Sequence, residues 1–102
     1  EQELRLALLE SPRSSEANEA LTAQLVGRTR ELLRGQRYEE ARRSAADLTA
    51  SFPTLPDGWI LLGRAYEGLG QIDPAARAQR RARDLAPDDP RPREALDRLG
   101  ER

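Results

Sequence analysis

Apolar residues along the chain recur at spacings of three and four and never in strict alternation, so the pattern predicts helices and no strands. Leu4, Leu8 and Leu9 share one face of a segment over 2–10 that ends at Ser11-Pro12, and Ser14-Ser15 can cap the next helix. Leu21, Leu25 and Leu32 mark that longer helix over 16–34, stopped by Gly35 as a residue free to take a positive φ. A third helix over 37–51 buries Ala41, Ala45 and Leu48 and ends at Phe52-Pro53. Thr54-Leu55-Pro56 leads into a helix over 57–69, closed by Gly68 and Gly70. Asp73-Pro74 reads as an N-cap followed by proline at the first helical position of a fifth helix, which runs to Leu85 and stops at Ala86-Pro87. Asp89-Pro90 opens a sixth, carrying Leu96 and Leu99. The fold class is all-α.

The helical pattern repeats. At a shift of 34 residues Ala41 recurs as Ala75 and Pro53 as Pro87, while Leu48 aligns with Ala82, Leu25 with Trp59 and Leu32 with Tyr66. A period of that length belongs to helix–turn–helix arrays, whose units cannot bury their apolar faces alone. Composition agrees. With 37% hydrophobic, 34% charged and only 4% aromatic residues, one large globular core would be thin, whereas stacked helices carrying small residues need less bulk.

Charge and missing residue types narrow the function. A net charge of −1 does not suit a general nucleic-acid binder, which needs a basic excess to displace counterions from phosphates. All the basic residues are arginine, which fits either a GC-rich coding sequence or a use for guanidinium forks in gripping carboxylates. Without cysteine, histidine or lysine, the chain has neither the usual transition-metal ligands nor the common nucleophile–base pairs, and no glycine loop built to cradle phosphate. No enzyme activity, cofactor or metal site is expected. No apolar run is long enough to span a membrane. The absence of methionine is expected of a processed or excised piece.

Trp59, Leu62, Gly63, Tyr66, Ala75, Ala82 and Pro87 stand where the tetratricopeptide repeat places its W, L, G, Y, A, A and P. The unit starting at Pro56 therefore resembles that family at seven of eight signature positions, departing only at Gln79, where a bulky aromatic is usual. The preceding unit, from Thr22, keeps the second helix and the terminal proline but has Arg28 at the place of Leu62, and its Gly35 falls one position early relative to Gly70. The resemblance implies a single domain over 1–102, with antiparallel helix pairs stacked as a short right-handed superhelix of about six helices. Residues 1–21 hold a capping helix and the start of the long helix, 22–55 a degenerate repeat, 56–89 a well-matched repeat and 90–102 a C-terminal cap. It also implies that Trp59 and Tyr66 are packed between units rather than exposed for base stacking.

Arg30, Arg64 and Arg98 are separated by 34 and 34 residues. In the family this position lies on the first helix of each unit and faces a concave groove, whose other residues would be Val26, Leu33, Ile60, Glu67 and Glu94. Two explanations stand for the arginine ladder: recognition of a partner's carboxylate, or coincidence in an arginine-rich chain, which internal pairing with Glu67 and Glu94 would betray. Arg77, Arg80, Arg81 and Arg83 form a further basic cluster, followed at once by Asp84, Asp88 and Asp89, and read as a locally neutralised, solvated face. The pairs Glu39-Glu40 and Asp88-Asp89 read as structural or solvating, since adjacent carboxylates on a helix point apart.

The resemblance implies a protein-interaction module that binds a peptide or helix of a partner in its groove. Relatives that grip a C-terminal carboxylate with lysine and asparagine are not matched, because lysine is missing and Asn18 is the single asparagine. The string Gly58-Trp59-Ile60-Leu61-Leu62-Gly63-Arg64-Ala65-Tyr66 is similar to periplasmic repeat modules of bacterial c-type cytochrome biogenesis, which would favour the periplasm or cell envelope over the cytoplasm. A self-associating scaffold repeat is the alternative function.

Overall fold

The computed structural model describes residues 19–100, and every regular element among them is an α-helix. Helix α1 occupies 19–34, α2 Tyr38–Ser51, α3 Pro56–Gly68, α4 Ile72–Leu85 and α5 Pro90–Arg98. The predicted helix over 2–10, its serine caps and the start of the long helix at 16 lie outside the described residues. Connections of three or four residues fold each helix back on the one before, so that α2 packs on α3, α3 on α4 and α4 on α5. No described helix is long and apolar enough to cross a membrane.

Proline and its neighbours set two of the helix starts. Pro56 and Pro90 each open a helix at a position whose N–H would lack a partner in any case, and Asp89 caps α5 by accepting from the Arg91 backbone N–H at 3.0 Å. The expectation at Asp73-Pro74 needs correction. Helix α4 already begins at Ile72 with Gln71 as its N-cap, so Asp73 and Pro74 lie inside the first turn. The turn before it explains why. Gly70 takes φ +78°, its N–H reaches the Glu67 carbonyl and the Gln71 N–H reaches the Tyr66 carbonyl, so α3 is closed off by Gln71 and the next helix starts at once. Proline is tolerated within that first turn because no i−4 carbonyl awaits its nitrogen.

The end of α1 uses the same closure with a different residue. Gln36, not Gly35, carries the positive φ of 60°; its N–H bonds the Leu33 carbonyl and the Arg37 N–H the Leu32 carbonyl. Gln36 and Gly70 are 34 residues apart, so the turn geometry keeps a spacing that the glycines themselves break.

The core is built from short side chains. Ala41, Ala45 and Leu48 of α2, Leu61 and Ala65 of α3, and Ala75, Ala76 and Ala82 of α4 are all at most 2% exposed, so the α2 face read from the sequence stands. The α1 face does not. Val26, Thr29 and Leu33 are buried, Leu25 and Leu32 only half so, and Leu21 is 47% exposed. The buried stripe is thus rotated by about one residue from the leucines, because Thr29 turns inward. Its hydroxyl donates to the Leu25 carbonyl and shares a 2.7 Å hydrogen bond with Ser44 Oγ of α2, so a polar residue is accommodated where hydrophobicity alone excludes it. Trp59 and Tyr66 are half-buried against the core rather than enclosed. The Trp59 Nε1 donates to the Pro53 carbonyl at 2.8 Å, pinning the α2–α3 connection to α3.

Candidate functional site

Helices α1, α3 and α5 place Arg30, Arg64 and Arg98 around a common surface. A depression of about 360 Å³ is bordered by all three, with Ile60, Glu94 and Arg91, and is floored by Gln79. Arg30 also borders a second depression, of about 620 Å³, with Val26, Phe52 and Leu55. Arg64 and Arg98 border a third, with Leu33, Tyr38 and Glu67. Neighbouring depressions share these arginines and so adjoin along one face, called the trough below, and each of the eight residues expected along a groove borders one of the three.

Their roles there are unequal. Val26, Leu33 and Ile60 are only 9%, 8% and 5% exposed, so they are core residues whose edges reach the trough, not a free apolar lining. The reason is helical phase: the residues of α1 that face the trough also adjoin the buried stripe through Thr29. Arg98 is engaged inside the protein, its Nε and Nη2 donating to the two Glu67 oxygens at 2.8 and 2.9 Å. Those hydrogen bonds hold the Glu67 carboxyl below its usual range despite partial burial, and the charges of Arg98 and then Arg64 add to the effect. As a member of a free ladder, Arg98 is therefore a correction. Glu94 is exposed on α5 and adds its negative charge to the surroundings of Arg98. Arg30 and Arg64 are exposed and, among the described residues, neither has a carboxylate within ion-pair distance. The ladder reduces to two available guanidinium groups and one occupied.

Two residues at the site escaped the sequence reading. Arg91 joins α5 to the start of α3, with Nη2 2.7 Å from Asp57 and 2.6 Å from Asp89. Asp57 and Arg91 are 34 residues apart, so opposite charges at equivalent places in the period were the available signal. Gln79, the departure from the aromatic pattern, is fully buried; its Nε2 donates to the Ile60 carbonyl at 3.1 Å and its Oε1 has no protein partner. Nothing in the sequence marks it beyond that departure.

Hydrogen bonds from the Arg91 side chain, and then from its backbone N–H, lower the Asp89 pKa from 3.8 to about 2. A depressed carboxyl stabilises the folded chain above its ordinary pKa, and that contribution disappears as the pH falls through the folded value. Acid titration followed by the Arg91 amide resonance is expected to show a midpoint near 2, with the α5 N-terminus loosening below it. A midpoint at 3.8 would mean that the cap does not persist in solution.

The remaining charged groups serve the surface. Glu39 meets Arg42 at 2.6 Å and Arg43 at 3.6 Å, and Glu40 meets Arg37 at 3.7 Å, which agrees with a solvating role for the pair. In the α4 cluster Arg77 and Arg81 are exposed, and Arg83 lies 3.8 Å from Asp84. No family model matches the chain, and no curated protein matches it.

Proposed function

We propose that this chain is a repeat-type interaction module that holds a peptide or helix of a partner protein in the trough, without catalysing a reaction. The observation that carries this reading is the placement of Arg30 and Arg64: two exposed cations without a described carboxylate partner, at the residues where neighbouring depressions meet. Guanidinium groups pointed at water add nothing to packing, whereas a partner's carboxylate can meet them bidentately. The tetratricopeptide reading is supported by the seven signature residues of the second unit and by the Gln36 and Gly70 turns, closed alike 34 residues apart.

Arg64→Glu is expected to leave helix content and melting unchanged, since such exposed substitutions fall within about 0.5 kcal/mol. It should weaken binding of a fluorescein-labelled glutamate-containing peptide by about tenfold, or roughly 1.4 kcal/mol, with the difference shrinking as salt screens the charges. Equal affinities for the two proteins at low salt would remove Arg64 from recognition. Self-association is the second reading, favoured by Leu21 and Ile72, which are 47% and 41% exposed. A light-scattering mass independent of concentration would exclude it.

A further inference from the structure

The trough is chemically unequal along its length. Its middle depression is bordered by Arg30, Arg64, Arg91 and Arg98, with Glu94 the one acidic residue lining it among the described residues. Arg91 is tied to Asp57 and Asp89, and Arg98 to Glu67, which leaves Arg30 and Arg64 as the cations facing whatever enters. In the depression beyond Arg30 the surface is formed by Ala23, Val26, Phe52 and Leu55, with Glu19 at its border beside Asp57, whose charge is taken up by Arg91. Gly27 opens that depression further: a side chain at this position would meet nothing within 4 Å among the described residues, so an occupant can approach the α1 backbone closely.

From this asymmetry, and resting on the interaction-module reading above, we infer that the trough takes a partner segment of segregated chemistry in one orientation, with apolar side chains against Ala23, Gly27 and Leu55 and acidic side chains against Arg30 and Arg64. Charge complementarity enforces the orientation twice. Carboxylates meet two guanidinium groups in the arginine-lined part, and would meet Glu19 beside the apolar part if the segment were reversed. A segment with its acidic and apolar residues interleaved satisfies neither end, since it must place carboxylates on the apolar surface or leucines among the arginines. Affinity comes from the apolar contact and orientation from the ends, a division seen wherever charge sets register at an interface.

Two short labelled peptides of identical composition test this by fluorescence anisotropy with the full chain. One carries leucines at helical spacing in one half and glutamates in the other; its isomer interleaves them. The segregated peptide is expected to bind at least tenfold tighter, and Arg30→Gln and Arg64→Gln should each reduce that advantage. Gly27→Glu should also reduce it by placing a carboxylate at the apolar end, and because glutamate is the better helix former its effect is not one of unfolding. Equal binding of the two isomers would overturn the orientation while leaving the interaction-module reading in place. Binding of neither peptide, either to the chain or to its Leu8→Glu/Leu9→Glu variant, would overturn both. The chain's own N-terminal residues, with Leu4, Leu8 and Leu9 beside Glu1 and Glu3, are the alternative occupant that this variant separates. Binding that emerges only in a full-length Leu8→Glu/Leu9→Glu variant would show that this segment, not a partner, fills the trough.

Discussion

Leu48→Ala is expected to destabilise the domain by about 2–5 kcal/mol. Leu48 is fully buried on α2 at the centre of the cluster formed with Val26, Leu33, Leu61 and Ala65. Burying a leucine side chain contributes about 1.5–3 kcal/mol, and Ala41, Ala45, Ala65 and Ala78 in the same cluster have no side-chain length with which to fill a cavity. Gly58 illustrates the density: a methyl on it would lie 3.3 Å from Leu48 Cγ and 3.3 Å from Thr49 Cγ2. Against a domain stability of roughly 5–15 kcal/mol, such a loss is large enough to unfold part of the population at ordinary temperatures. Urea denaturation followed by far-ultraviolet dichroism measures it directly. Leu21→Ala serves as the internal comparison, because a residue 47% exposed has little burial to lose. If the two substitutions cost the same, the α1–α2 pair does not bury the face that carries Leu48.

Gly63→Ala should also destabilise, by about 1–3 kcal/mol, although intrinsic propensity pushes the other way. Alanine is favoured over glycine in a helix interior by about 0.8–1 kcal/mol, so the sign of the measured change separates packing from propensity. A methyl on Gly63 would run into the Gln79 amide, with Cδ at 2.9 Å and Cγ at 3.0 Å. Gln79 is itself fully buried and bonded to the Ile60 carbonyl, so it cannot swing into solvent without surrendering both the contact and the hydrogen bond. Shortening the obstruction should restore tolerance: in a Gly63→Ala/Gln79→Ala protein the combined loss is expected to fall below the sum of the single losses. A stabilised Gly63→Ala protein, or strict additivity with Gln79→Ala, would show that α3 and α4 do not meet through this pair.

The glycine–glutamine contact also shows why the sequence was legible up to a point. At the shift of 34 residues Thr29 stands at the place of Gly63 and Ala45 at that of Gln79, so in one unit the bulk is on the second helix and in the other on the first. Each substitution taken singly looks like degeneracy of the repeat. Only the packing of α3 on α4 shows that Gln79 needs Gly63, and only the bond to Ser44 shows why Thr29 can face inward. The same holds for the trough. The period brought Arg30, Arg64 and Arg98 to one surface, but their different engagement depends on where Glu67 sits across the helix interface.

By itself the sequence determined the all-helical class, the approximate extents of the described helices, the buried face of α2 and the Asp89-Pro90 start of α5. These are local matters: apolar spacing near the helical period, and the fixed φ and missing N–H of proline, act within a few residues of where they occur. Tertiary structure alone decided the rotation of α1 that buries Thr29 and exposes Leu21, the half-burial of Trp59, and the pairing of Arg98 with Glu67 and Arg91 with Asp57. Those outcomes depend on how closely neighbouring helices approach and at what rotation. Small residues and buried hydrogen bonds set that approach jointly across an interface, and no single stretch of chain contains both sides of it.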